Sequence, residues 1–143
     1  MRLDKAREYV GNYMSRLVEM AESSSFAFVI WHLSLMMALW GTWLILPLGT
    51  FAGGPYQAMN TFASEFAWGL MALGMGLGKM HFVAAKKVIS LSMLCLISGY
   101  LWIFVGVSFL FAVPSNTGGM VYLMLGLIEF WFYKRLQSRN TET

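Results

Sequence analysis

Apolar and polar positions fall into long blocks along this chain rather than alternating residue by residue. Leu3, Ala6, Val10, Tyr13, Leu17 and Met20 recur at three- and four-residue spacing, so residues 3–21 read as an amphipathic helix. Arg2, Lys5, Arg7, Glu8, Arg16 and Glu19 fill its other face. Basic residues opposite Leu, Val and Tyr suit a helix on a membrane surface, and equally one packed on a partner or on the rest of the chain. Ser23, Ser24 and Ser25 then offer N-caps for the next element.

Four apolar blocks follow, and their lengths predict four transmembrane helices at about 26–46, 58–78, 88–113 and 118–133. A hydrocarbon core of about 30 Å needs about 20 helical residues. The first block carries no formal charge and ends before Pro47. The segment from Pro47 to Pro55 is turn-rich and uncharged, and the second helix starts between Tyr56 and Thr61. Lys79, His81, Lys86 and Lys87 mark a short polar connection to the third block, which is long enough to span with tilt. Pro114 to Gly119 is a tight turn, and the fourth block is short. The chain therefore divides into an amphipathic cytoplasmic segment (1–25), a four-helix transmembrane domain (26–133) and a polar, frayed tail (134–143). The expected fold is all-α: a polytopic bundle with an amphipathic helix on the cytoplasmic surface.

Composition agrees with lipid as the solvent: 58% of the 143 residues are hydrophobic and 12% charged, about half the charged fraction of soluble domains. The first 25 residues are polar, with no small-residue cleavage site after a short apolar core, so no cleavable signal peptide is expected and the first helix reads as a retained anchor. The lone cysteine, Cys95, lies in an apolar run and reads as a small buried hydrophobe.

Charge sets the expected orientation. All ten Lys and Arg lie in the N-terminal segment, the middle connection or the tail, and none in the other two loops. The positive-inside rule puts both termini in the cytoplasm. These basic residues track a membrane surface, so no nucleic-acid partner is invoked. Trp40 and Trp43 near one boundary, and Trp131 near the other, read as interface anchors. Trp68 and Trp102 lie deeper and read as helix-packing residues.

The candidate functional residues are few. Close backbone approach replaces the hydrophobic drive between helices in lipid. The small-residue pairs Ala72/Gly76, Gly74/Gly78, Ser34/Ala38 and Cys95/Gly99, with Gly69, therefore mark packing faces, within one chain or in an oligomer. Three ionisable groups fall inside the spans, where charge is expensive and suggests function. His32 and Glu129 lie at similar depth near the basic side, so they are expected either to approach each other or to share an inner pocket. The competing expectation for Glu129 is snorkelling beside Lys134 and Arg135. Glu65 has no basic residue on its side; it reads as a cation or proton site, or else as a buried carboxyl that hydrogen-bonds a helix end. No phosphate loop, H-E-x-x-H or nucleophile–base set occurs, so neither catalysis nor a cofactor nor a metal is expected.

The run Trp40-Gly-Thr-Trp43-Leu-Ile-Leu-Pro47, then Thr50-Phe51 and Ala63-Ser-Glu65-Phe-Ala-Trp68-Gly69, resembles small four-helix membrane proteins of tailed bacteriophages and prophages. The resemblance covers about half the chain, from Trp40 to about Lys79, and marks Trp40, Trp43, Pro47, Glu65, Trp68 and Gly69 without giving them roles. It implies a bacterial inner-membrane location and a part in infection. Three functions remain open: a holin-like or envelope-modifying effector that oligomerises, a channel or small transporter subunit, and an accessory subunit that binds other membrane proteins.

Overall fold

The computed structural model describes residues 25–52, 54–113 and 117–141, among which there are five α-helices and no strand. The amphipathic segment 3–21, with the caps Ser23 and Ser24, lies outside the described residues. The helices are α1 (Ser25–Ile45), a short α2 (Gln57–Asn60), α3 (Glu65–Ala84), α4 (Val88–Ala112) and α5 (Gly118–Thr141). Two of them, α1 over Phe26–Ile45 and α4, are long and apolar enough to cross a membrane.

The helices pack as two antiparallel hairpins, α1 with α3 and α4 with α5, with lesser contact between α3 and α4. Each hairpin is zipped by small residues. A methyl built on Gly41 would lie 2.4 Å from the backbone N of Leu73, and one on Gly76 would lie 2.7 Å from the carbonyl O of Ser34. Backbone meets backbone at both points, leaving no flexible side chain to yield. In the second hairpin a methyl on Gly106 would meet the Leu123 backbone N at 2.9 Å, and one on Gly126 the Gly99 carbonyl O at 3.0 Å. Gly69, Ala72, Gly76 and Gly99 lie in the seams, and Gly78 faces a Leu94 methyl. Gly74 does not: it is exposed, with open space where a Cβ would go. One residue of phase separates it from the Gly69–Gly76 stripe.

The end bearing the α1–α3 connection is an aromatic plug. Trp40 packs against Trp102 and Tyr122, Tyr56 against Phe51 and Phe109, and Trp68 against Phe104. Trp40 is therefore a packing residue rather than the boundary anchor expected, because it faces α4 and α5; Trp43 and Trp131, each 56% exposed, point outward. Positive φ at Gly49 and Gly54 lets the connection double back through two 3-10 turns at Thr50–Ala52 and Gly54–Tyr56.

Two boundaries differ from expectation. The second long helix begins at Glu65, not in the 56–61 region, because Ser64 caps it: the Ser64 hydroxyl accepts from the Ala67 N–H at 3.3 Å. It then runs on to Ala84, which moves Lys79 out of the connection and into the helix. The fourth long helix does not fray after Tyr133 but continues to Thr141, anchored by buried Leu136 beside Phe132.

Candidate functional site

Where the hairpins meet, toward the end carrying Lys86, Lys87, Lys134 and Arg135, a charged pair is sealed from solvent. Lys79 of α3 is 0% exposed and Glu129 of α5 2%. Each follows a seam glycine, Gly76 or Gly126, by three residues, so it shares that glycine's inward face. The Lys79 ammonium donates to the Glu129 carboxylate and, at 3.2 Å, to the hydroxyl of Ser98 on α4. Ser98 in turn donates to the Cys95 carbonyl at 3.2 Å. The Cys95 thiol is fully buried on the same helix, one turn before Ser98. Three helices thus contribute side chains to one polar cluster inside an otherwise apolar bundle.

The energetics make this arrangement conspicuous. Stripping two ions of water costs several kcal/mol each, and their attraction offsets this only when geometry and further hydrogen bonds are favourable. Ser98 supplies one such bond, to the Lys79 ammonium. Chemically the cluster can hold charge in a low-dielectric interior, exchange a proton between ammonium and carboxylate, or tie the hairpins together.

The expected residues are distributed differently. His32 and Glu129 do not pair. Ile30 and Ser34 on either side of His32 point inward, which turns the histidine to the surface, where its Nδ1 lies 2.8 Å from the Phe28 carbonyl. Nor does Glu129 snorkel beside Lys134 and Arg135: its helix face is the buried one, and Lys79 is its partner. Glu65 sits at the opposite end of α3, in the first turn, where a carboxylate favours the helix dipole. Its two oxygens accept the backbone N–H groups of Thr50 (3.0 Å) and Phe51 (3.3 Å). The carboxylate pins the first 3-10 turn to the head of α3.

An apolar run ending at Gly78 puts Lys79 in a connection, and so hides its pairing with Glu129 and its bond to Ser98. The signal that would have found it is the shared interval from Gly76 to Lys79 and from Gly126 to Glu129. In comparisons with protein-family models, curated proteins and solved structures, nothing matches this chain.

Proposed function

We propose that the chain is a four-span inner-membrane protein that acts without catalysis, as a conducting or permeabilising element whose closed state is held by the Lys79–Glu129 pair. The observation that carries this reading is the burial of that pair at the joint between two tightly zipped hairpins. A charged residue costs about 2.5–3.5 kcal/mol at the centre of a membrane helix on insertion scales. Apolar side chains would fill the same space at no such cost. A joint of this kind can part without unzipping either seam, and parting it would line the gap with Lys79, Glu129 and Ser98.

The same pair supports the four-span reading. α1 and α4 qualify as spans on composition alone, while residues 66–84 of α3 and 118–133 of α5 are each interrupted by one formal charge, Lys79 and Glu129, and these two neutralise each other. Lys86 and Lys87 at the start of α4, and Lys134 and Arg135 near the end of α5, then share one membrane face, the cytoplasmic one. The resemblance to phage membrane proteins favours an effector that alters the host envelope.

Induced expression in bacterial cells, followed by a membrane-potential dye and a small impermeant dye, tests this. Wild-type protein is expected to depolarise cells, and E129Q, which weakens the lock, to do so sooner after induction. Depolarisation by neither, with copurification of another membrane protein, would replace this reading with the accessory-subunit one.

A further inference from the structure

The two hairpins are built on one plan. Small residues seven apart line the seam in all four long helices: Ser34 and Gly41, Gly69 and Gly76, Gly99 and Gly106, Gly119 and Gly126. The close approaches correspond contact by contact. A methyl on Gly41 meets the backbone N of Leu73, and one on Gly106 that of Leu123. A methyl on Gly69 meets the Gly41 carbonyl O at 2.8 Å, and one on Gly119 the Gly106 carbonyl O at 3.1 Å. Gly76 stands against Ser34 as Gly126 stands against Gly99. The sequences agree at the same places: Gly69-x3-Leu73-x2-Gly76-Leu77, then Phe82, against Gly119-x3-Leu123-x2-Gly126-Leu127, then Phe132.

Under this correspondence Lys79 and Glu129 are equivalent positions, and they touch. In a two-fold assembly a residue that touches its own mate lies on the axis. The cores obey the same relation. The equivalents Met37 and Trp102, and Leu44 and Phe109, share one buried cluster; Ile30 and Cys95, and Phe82 and Phe132, share the other or pack against it.

We infer that the chain is a duplicated helical hairpin folded as a pseudo-dimer about an axis through the Lys79–Glu129 contact, and that the inner face of each hairpin is a recognition surface for a hairpin of the same design bearing the opposite charge. Identical charges on such an axis would meet in the dry interior, so a first hairpin rejects another first hairpin and accepts a second one. The pair thereby fixes which halves combine, as buried polar residues fix partner choice in other helical assemblies. In the wild-type chain the partner each face fits is the other half of the same chain; a second copy takes its place only where reversal of one charge leaves a chain unable to pair its own halves. This inference is independent of whether the protein conducts.

Charge reversal in the full-length protein tests it. Labelling of Cys95 by a thiol-reactive dye in detergent reports opening of the bundle, since this single thiol is buried at the joint. K79E and E129K each place like charges on the axis and are expected to label at least about 100-fold faster than wild type, the scale of an uncompensated buried charge. The K79E/E129K double reversal is expected to return to within about tenfold of wild type, because the two positions are interchangeable under the pseudo-symmetry. Coexpressed with different tags, the K79E and E129K chains are expected to copurify, each supplying the charge the other lacks, whereas two wild-type chains or two K79E chains are not. A double reversal as damaged as the single ones overturns the equivalence of the positions, and failure of the K79E and E129K chains to associate overturns the recognition surface. The double reversal is read by itself even where a single variant does not accumulate.

Discussion

Removing the charge from one side of the Lys79–Glu129 pair should hurt more than removing it from both. Breaking a buried pair leaves an ion without its counter-charge and costs about 3–5 kcal/mol. At about 1.4 kcal/mol per decade, that raises the opening constant of the bundle by roughly 100- to several-thousand-fold. E129L falls at the upper end, since Lys79 keeps only the Ser98 hydroxyl as a polar partner. E129Q falls lower, because the amide oxygen still accepts from Lys79. K79M/E129L removes both ions and fills the space with apolar atoms, so it should match wild type or exceed it by up to about 4 kcal/mol. The assay is the rate of Cys95 labelling in detergent, normalised for each variant to its rate after denaturation. If E129Q and E129L label at the wild-type rate, the pair contributes nothing to closure. If K79M/E129L opens as readily as the single variants, the loss reflects shape rather than charge. Combined with cell depolarisation, the double variant also separates lock from pathway: a stable K79M/E129L protein that no longer depolarises places the charges on the conducting route.

The other predictions probe the frame that holds the pair. G76A drives a methyl to 2.6 Å from the Ala38 backbone N and should lower stability by about 1–3 kcal/mol. G74A, in open space on the same helix, should raise it by about 0.5–1 kcal/mol; thermal melts in one detergent compare the two signs. E65Q turns an amide donor toward one of two N–H groups, so the Thr50 and Phe51 amides should exchange with deuterium about 10- to 100-fold faster, while exchange near Lys79 stays unchanged. W68F removes the indole N–H that donates to the Met59 carbonyl at 3.0 Å; a loss of about 1 kcal/mol and faster proteolysis at α2 should follow, with the hairpin seams intact.

How much of this was legible in the sequence depends on whether the signal was periodic or local. The long apolar blocks and their turn residues are periodic features, and α1 and α4 fall within a residue or two of their expected bounds. The seam positions Gly69, Ala72, Gly76 and Gly99 follow from small-residue spacing, but spacing alone does not choose between the Gly69–Gly76 stripe and the neighbouring Gly74. That choice belongs to the partner helix, where Ser34, Ala38 and Gly41 present backbone at matching heights. Trp40 was misassigned for the same reason: its distance from a boundary predicts an anchor, but its facing residues, Trp102 and Tyr122, make it core.

The largest departure from expectation, the position of Lys79, comes from one boundary. An apolar run from Tyr56 onward fits a helix ending at Gly78, and a lysine just beyond it then belongs to a loop. What breaks that run is the hydroxyl of Ser64 closing the first turn, while Glu65 reaches back to the Thr50 and Phe51 amides. These are local polar contacts that hydropathy does not register, and they delay the start of α3 by about two turns relative to the apolar block. The same number of residues then carries the helix past Gly78 to Ala84 and draws Lys79 into the bundle, three residues after the seam glycine Gly76. Ser64 fixes where α3 begins, and Glu65 beside it pins the Thr50–Ala52 turn to the head of the helix. The two carboxylates, Glu65 and Glu129, have separate tasks, one pinning the connecting turn and one completing the charge pair. A variant that shifts the start of α3 should disturb Cys95 reactivity even though it lies at the opposite end of the bundle.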